Sequence, residues 1–334
     1  MYISKIIGLG KYVPENVVTN DDLAKLMDTN DAWIRERTGI QERRHIKKGD
    51  GNSTSIMGVK ASTIALERAN LKPDDIDMIV FATLSPDMYF PGGGVEVQHL
   101  MGMRTVPALD VRNQCSGFVY GLSVADQFIK TGMYKNILVI GAENHSGGLD
   151  FNTRSRSVSV IFGDGAGAAV LTRSDDKSGI LSTHLHSEGA HKDQLALKGP
   201  STSYWVPEII ADNPQEDIPY YPVMNGQFVF KHAITRFAEV INEGLEANGL
   251  DVSEINMLIP HQANLRISQM IQRKFKLKDS QVYNNIQRYG NTTAASIPIA
   301  LTEAWEEEKI KEGDLVVLAA FGSGFTWGSV IIRW

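Results

Sequence analysis

Three polar residues follow apolar stretches at turns, and their types suit acyl transfer. Cys115, the single cysteine among 334 residues, sits in VPALDVRNQCSGFVYGLSVADQFIK. Val106–Val111 reads as a strand and Arg112–Gln114 as a polar turn; from Cys115 onward, Phe118, Leu122, Ala125, Phe128 and Ile129 recur at helical spacing. Cys115 is therefore expected on the first turn of a helix, where unpaired N–H groups and the helix dipole favour a thiolate. Thiols so placed have their pKa lowered from about 8.5 to about 3.5–7.5. A free cysteine is also among the most buried and inert residue types, so both readings stand here. His261, with Gln262 and Asn264, follows the apolar run INMLIP. The end of a buried parallel strand is where α/β proteins place ligands, although a surface loop histidine fits the same spacing. Asn291, in RYGNTTAASIPIAL, lies 176 residues beyond Cys115 (115 to 291). An internal repeat makes that position the counterpart of the cysteine, so Asn291 is expected to open a helix pointing into the same cleft; a plain helix cap is the alternative. Cys, His and Asn at the mouths of different strands fit nucleophilic acyl chemistry, provided they meet in space.

The elements that would carry them alternate. Ile76–Thr83, Ile137–Ala142, Met257–Pro260 and Leu315–Ala320 read as strands buried on both faces. Gly58–Leu71, Cys115–Lys130, Phe237–Leu250 and Thr293–Lys309 read as helices, an α/β pattern. The order repeats: LKPDDIDMIV parallels LDVSEINMLI at an offset of 179 residues (58 to 237 at the start of the matching stretch), and ILVIGA parallels LVVLAA at 178 (137 to 315). Each stretch then closes on a glycine-rich turn and a strand, GDGAGAAVLTR and GSGFTWGSVIIRW. Two similar halves follow, 1–173 with the cysteine and 174–334 with the histidine and asparagine, with Asp175–Gly179 as the crossover. The stretch 199–222, with Tyr204, Trp205, Tyr220 and Tyr221, lacks periodicity and reads as a flap.

Composition sets outer bounds. A 43% hydrophobic chain with 22% charged residues is globular, and one cysteine makes no internal disulfide. The net charge of −6 argues against general nucleic-acid binding. The opening MYISKIIGLGKYVPENV lacks a secretory pattern, and no stretch reaches the ~18 apolar residues of a membrane span, so a cytoplasmic protein without membrane partners is expected. GDGAGA lacks the G-x-G-x-x-G order and precedes an apolar strand, which disfavours a dinucleotide site. His184 and His186 would face one side of a strand without an evident third ligand, so no metal is expected.

DAWIRERTGIQERR, NQCSGF, VIFGDGAGAAVL, PHQANLRI, YGNTTAASIP and FGSGFTWGS occur in that order. Together they resemble the β-ketoacyl-acyl-carrier-protein synthase III family, the initiating condensing enzymes of the thiolase superfamily, nearly end to end. The resemblance implies a five-layered αβαβα fold built from two duplicated halves, and a homodimer. It implies Cys115 as acyl acceptor, His261 and Asn291 as its partners, and the backbone N–H groups of Cys115 and Ser323 as oxyanion donors. It implies an acyl-CoA contacted by Trp33, Arg37, Arg156, Gln227 and Asn264, and an acyl pocket at Phe90, Phe162 and Met224, with Phe90 reaching across the dimer. It implies an acyl carrier protein docked on Lys231, Arg266, Arg273 and Lys274. No cofactor is implied, since acyl-CoA is a substrate. A single cysteine excludes the two-cysteine degradative thiolases. Gln227 stands where the family often has Asn, and Ser323 where it has Gly. ENHSGGLDFNTRSR is longer than usual and brings His145 near the acyl pocket, which leaves open a branched or medium-chain primer and a specialised ketosynthase or acyltransferase. A non-catalytic carrier-binding subunit would be expected to lack the cysteine.

Overall fold

The computed structural model describes residues 2–176, 178–199, 201 and 220–334. Most of the expected flap, Tyr204 and Trp205 included, lies outside them. The apolar runs form two sheets. Ile3–Tyr12 (β1), Met78–Ala82 (β2), Ala108–Val111 (β3), Asn136–Glu143 (β4) and Gly165–Ser174 (β5) make the first, in the order β1-β5-β4-β2-β3. Gly179–Ser187 (β6), Ile255–Pro260 (β7), Leu315–Gly322 (β8) and Thr326–Arg333 (β9) make the second, in the order β6-β9-β8-β7. Where the first sheet has β3, the second has a parallel bridge from Leu258 to Val282. Parallel and antiparallel pairings also match between the sheets. The duplication read from the sequence is thus present in topology as well.

Helices fill three layers. Thr54–Ala69 (α2) covers the outside of the first sheet, with Met57, Ala61 and Ala65 against Ile79, Phe81, Leu138 and Ile140. Gly226–Ala247 (α4) covers the outside of the second, with Phe237, Val240 and Ile241 against Leu258, Val317 and Ile331. Between the sheets lie Gly117–Lys130 (α3) and Ser296–Glu306 (α6). Their Phe118, Leu122, Ile129, Ile297 and Leu301 join Val80 and Val139 of one sheet to Ile259, Val316 and Leu318 of the other. Successive residues of β2 therefore bury on opposite faces, Ile79 and Phe81 outward, Val80 inward, which is why the run is apolar throughout. Two shorter helices flank the cleft, Asp31–Thr38 (α1) and Leu265–Phe275 (α5).

Several boundaries differ from expectation; the helix expected over Gly58–Leu71, for one, runs Thr54–Ala69. The helix expected from 237 begins at Gly226, because the Asn225 side chain accepts a hydrogen bond from the Phe228 N–H and caps it. The helix expected from Cys115 opens as a tight 3₁₀ turn, Gln114–Ser116, with α3 proper from Gly117. The same turn recurs at Thr293–Ala295 before α6. Both turns contain a left-handed residue, Gln114 at φ 43° and Thr293 at φ 50°. These match at an offset of 179 residues (114 to 293), so the structural counterpart of Cys115 is Ala294 rather than Asn291.

Candidate active site

The turn after β3 presents Cys115 at the junction of the two sheets. Gln114 turns the chain in a left-handed conformation, φ 43°, that costs a non-glycine residue about 1–3 kcal/mol. Cys115 is only 7% exposed. The backbone N–H groups of Ser323 and of Cys115 itself act on the sulfur in the direction that favours a thiolate. The end of β8 comes this close because residue 322 is glycine: a Cβ there would lie 2.6 Å from the Cys115 Cβ and 3.0 Å from Sγ. The expected low thiol pKa is not what the fold produces. Burial, and after it the charge of Glu143, push Cys115 up to about 12. Desolvation outweighs the N–H dipoles, and the free protein holds a thiol at neutral pH.

His261 leaves the end of β7 with its N–H bonded to the Ala319 carbonyl at 2.8 Å. Its Nδ1 lies 2.6 Å from Ser296 Oγ, while Nε2 is buried and meets no partner among the described residues. Burial pulls its pKa down to about 3, so the ring is neutral. A Ser296 hydroxyl that donates to Nδ1 puts the ring proton on Nε2. Asn291 is fixed against Phe162 by backbone pairing: its N–H reaches the Ile161 carbonyl at 2.8 Å, and its carbonyl accepts from Gly163 at 3.1 Å. Its Oδ1 accepts the Thr293 N–H at 2.8 Å, which fixes which end of the carboxamide is the NH₂. Asn291 does not open α6, which starts five residues later (291 to 296).

The segment between them rests on the cysteine-bearing sheet. A Cβ on Gly141 would lie 2.3 Å from the Ala294 carbonyl oxygen. Thr293 Oγ1 lies 2.7 Å from Nε2 of the buried His145, and the Ala294 N–H donates to Glu143 at 3.3 Å. A Cβ on Gly117 would touch the Ala294 Cβ at 3.4 Å. One segment, 291–296, therefore joins Asn291, the serine that orients His261, and the start of the Cys115 helix. Ser296 and Glu143 were not singled out from the sequence. The usable signal was a carboxylate ending the apolar strand ILVIGAE.

The remaining expected residues fall into three groups. Trp33 is anchored by the Asn30 cap, whose Oδ1 accepts its N–H at 2.9 Å. The guanidinium groups of Arg37 and Arg156 lie 4.5 and 5.2 Å from its ring centroid, making a cationic aromatic stack. Arg156 also pairs with Asp28 at 3.3 Å. Asn264 caps α5 and donates to the Arg37 carbonyl at 2.9 Å, which ties α5 to α1. Gln227 is exposed on the first turn of α4. Phe162 and Met224 share one apolar cluster with Trp33, Leu149 and Phe151, and the His145 ring lies 4.6 Å from that of Phe162. Phe90 is 81% exposed and stands apart from that cluster, with Tyr89 and Met88 exposed beside it. On the basic face, the Arg266 guanidinium lies 5.5 Å over the Phe230 ring, next in sequence to Lys231. Arg273 and Lys274 are exposed on the last turn of α5. His184 and His186 do face one side of β6, where both ring nitrogens bond the Glu243 carboxylate, at 3.3 and 2.6 Å.

A family profile described as 3-oxoacyl-[acyl-carrier-protein (ACP)] synthase III matches residues 109–189, and one for the C-terminal part of the same enzymes matches 245–334. A β-ketoacyl-[acyl-carrier-protein] synthase III from Rhodospirillum centenum is 46% identical over 336 residues, covering 99% of each chain. One from Aquifex aeolicus is 45% identical over 331 residues, also 99% of each. The crystal structure of the Aquifex aeolicus 3-oxoacyl-[acyl-carrier-protein] synthase III superposes with a TM-score of 0.90, covering 99% of this chain and all of that one. The priming β-ketosynthase of the R1128 polyketide pathway superposes equally well, TM-score 0.90, at 29% identity, covering 99% of this chain and 96% of that one. Full-length identity near one half, on the same layered duplication with a cysteine at its junction, places the chain in the β-ketoacyl-[acyl-carrier-protein] synthase III family.

Proposed function

We propose that the protein condenses an acyl-CoA primer with malonyl-ACP through an acyl-cysteine, giving 3-oxoacyl-ACP, CoA and CO₂. The observation that carries this reading is the buried Cys115, packed against the β8 end at Gly322, at the junction that also holds a neutral His261 whose buried Nε2 has no hydrogen-bond partner among the described residues. In the first half-reaction, Cys115 loses its proton and the thiolate attacks the thioester carbonyl. The oxyanion takes the N–H groups of Cys115 and Ser323, and the CoA thiolate leaves and is protonated. In the second, the bond from the malonyl methylene to the carboxylate breaks and CO₂ departs. The electron pair moves onto the thioester oxygen as an enolate, which takes hydrogen bonds from His261 Nε2 and the Asn291 NH₂. The enolate carbon attacks the acyl-cysteine, the Cys115 thiolate leaves, and a solvent proton restores the thiol. A neutral histidine suits this task, because it donates a hydrogen bond without having to gain a proton.

Residues 1–173 supply the nucleophile and 174–334 the enolate donors. The Trp33 stack between Arg37 and Arg156 holds the CoA nucleotide, with Asn264 and Gln227 along the pantetheine arm and Phe162 and Met224 at the acyl chain. Exposed Phe90 completes the pocket of a second copy in a homodimer. Lys231, Arg266, Arg273 and Lys274 receive the acidic carrier protein. The reaction as written uses no cofactor. A related reading, a specialised priming ketosynthase with a longer or branched primer, draws on the likeness to the polyketide priming enzyme. Intact-mass measurement with acetyl- to decanoyl-CoA, before and after malonyl-ACP, tests both. We expect a mass gain on Cys115, absent in Cys115→Ala, that malonyl-ACP discharges with CO₂ release. A gain that malonyl-ACP leaves in place would overturn the condensing reading in favour of an acyltransferase.

A further inference from the structure

Glu143 is the last residue of β4 and is fully buried. In the duplicated fold its counterpart, 179 residues on (143 to 322), is Gly322 at the end of β8. One strand end thus brings a glycine to the Cys115 sulfur, and its counterpart ends on a buried carboxylate. That carboxylate accepts from the Thr83 hydroxyl at 3.1 Å, the Ser85 hydroxyl at 2.6 Å, and the backbone N–H groups of Leu84 and Ser85 at 3.1 and 3.2 Å. Its further bond, to the Ala294 N–H at 3.3 Å, crosses to the segment that holds Asn291 and Ser296. All five donors are neutral.

We infer that Glu143 is a positioning residue for this site: its hydrogen bond to the Ala294 N–H locks the 291–296 segment, with Asn291 and Ser296 on it, onto the end of β4. The inference rests on the reading of Cys115 as the acyl acceptor. The charges around the site agree with it. After burial, the Glu143 charge is the leading cause of the raised Cys115 pKa. His261 from the end of β7 is neutral, and the end of β8 contributes backbone N–H, so neither offsets that charge. His145, two residues beyond Glu143 and bonded to Thr293, is also held neutral by burial. Burial holds Glu143 itself up at about 7, so its charge is gained across the neutral range.

The test is the rate at which iodoacetamide alkylates Cys115 between pH 6 and 9.5, read by intact mass on the full chain without any acyl donor. Glu143→Gln removes the charge and should alkylate about tenfold faster at pH 8, the equivalent of one pKa unit. Glu143→Asp keeps the charge and should follow the parent profile. With Cys115 preloaded with acyl group, discharge by malonyl-ACP should slow tenfold or more in both variants, because the 291–296 segment is no longer held. A Gln variant with the parent alkylation profile would overturn the charge coupling. If Gln does not fold, Asp carries the test, and an Asp variant with parent discharge would overturn the positioning role. The alkylation arm needs no acyl-CoA. A protein that no acyl-CoA loads, but whose Gln profile shifts as expected, would sink the synthase reading and leave the charge coupling standing.

Discussion

Burial decides the protonation of almost every reactive group at the junction. His261 and His145 are driven down to about 3 and about 4, and His45 is lowered for the same reason. In the unfolded chain each ring would bind a proton below about pH 6.5. With His261 and His145 the folded protein refuses those protons until far lower pH, so stability falls as pH drops from about 6.5 toward 4, by ~1.4 kcal/mol per pH unit for each of these two rings. Glu143 works the other way: held at about 7, it binds its proton more readily when folded, which offsets one ring in the window between its unfolded value and 7. His145→Gln should therefore flatten the acid limb by about one proton. Urea unfolding at several pH values between 4.5 and 6.5 checks this, and an unchanged slope would count against a buried neutral ring. The strand, turn and helix around Cys115 were readable in the sequence, and the family resemblance named it, with His261 and Asn291, as the candidate set. Their protonation was not, because the burial of the sulfur against Gly322 and the charge of Glu143 come from chain segments far from Cys115 in sequence.

The strands and helices place these groups through close backbone contact. β8 ends on Gly322 with no room for a methyl beside Cys115. Gly322→Ala should displace the Ser323 N–H from the sulfur and slow acyl loading by roughly 100-fold, on the scale of the about 1–3 kcal/mol that overpacking costs. The readout is single-turnover loading by intact mass; a variant that loads at the parent rate would show that the strand end yields. Strand positions were legible, because β2, β4 and β8 are buried on both faces and so read as unbroken apolar runs. The first turns of α4 were not. The stretch QFVFKHAIT is aromatic and β-branched, so its propensity for helix is weak, and packing decides instead. The turn before α6 was misaligned by three residues for a related reason. Its left-handed position is occupied by Thr293, a β-branched residue that gives no sign of such a backbone and is held by His145 and Asn291.

At the level of the fold, duplication was legible as order, and the structure adds that the two copies share their central layer. α3 belongs to the first copy, yet it hydrogen-bonds the second sheet through Tyr120 to the His186 carbonyl at 2.8 Å and through Ser123 to Thr183 at 2.7 Å. Lys11 of β1 reaches Glu303 of α6 at 2.6 Å in return. Neither copy alone closes its inner apolar face, since the cluster there draws residues from both. The consequence is a natural split protein. Expressed separately, fragments divided within 175–178 should each aggregate, with inner faces bare. Expressed together, they should assemble into a soluble complex whose Cys115 alkylates as in the intact chain. Two fragments that each fold alone as soluble monomers would contradict the shared layer.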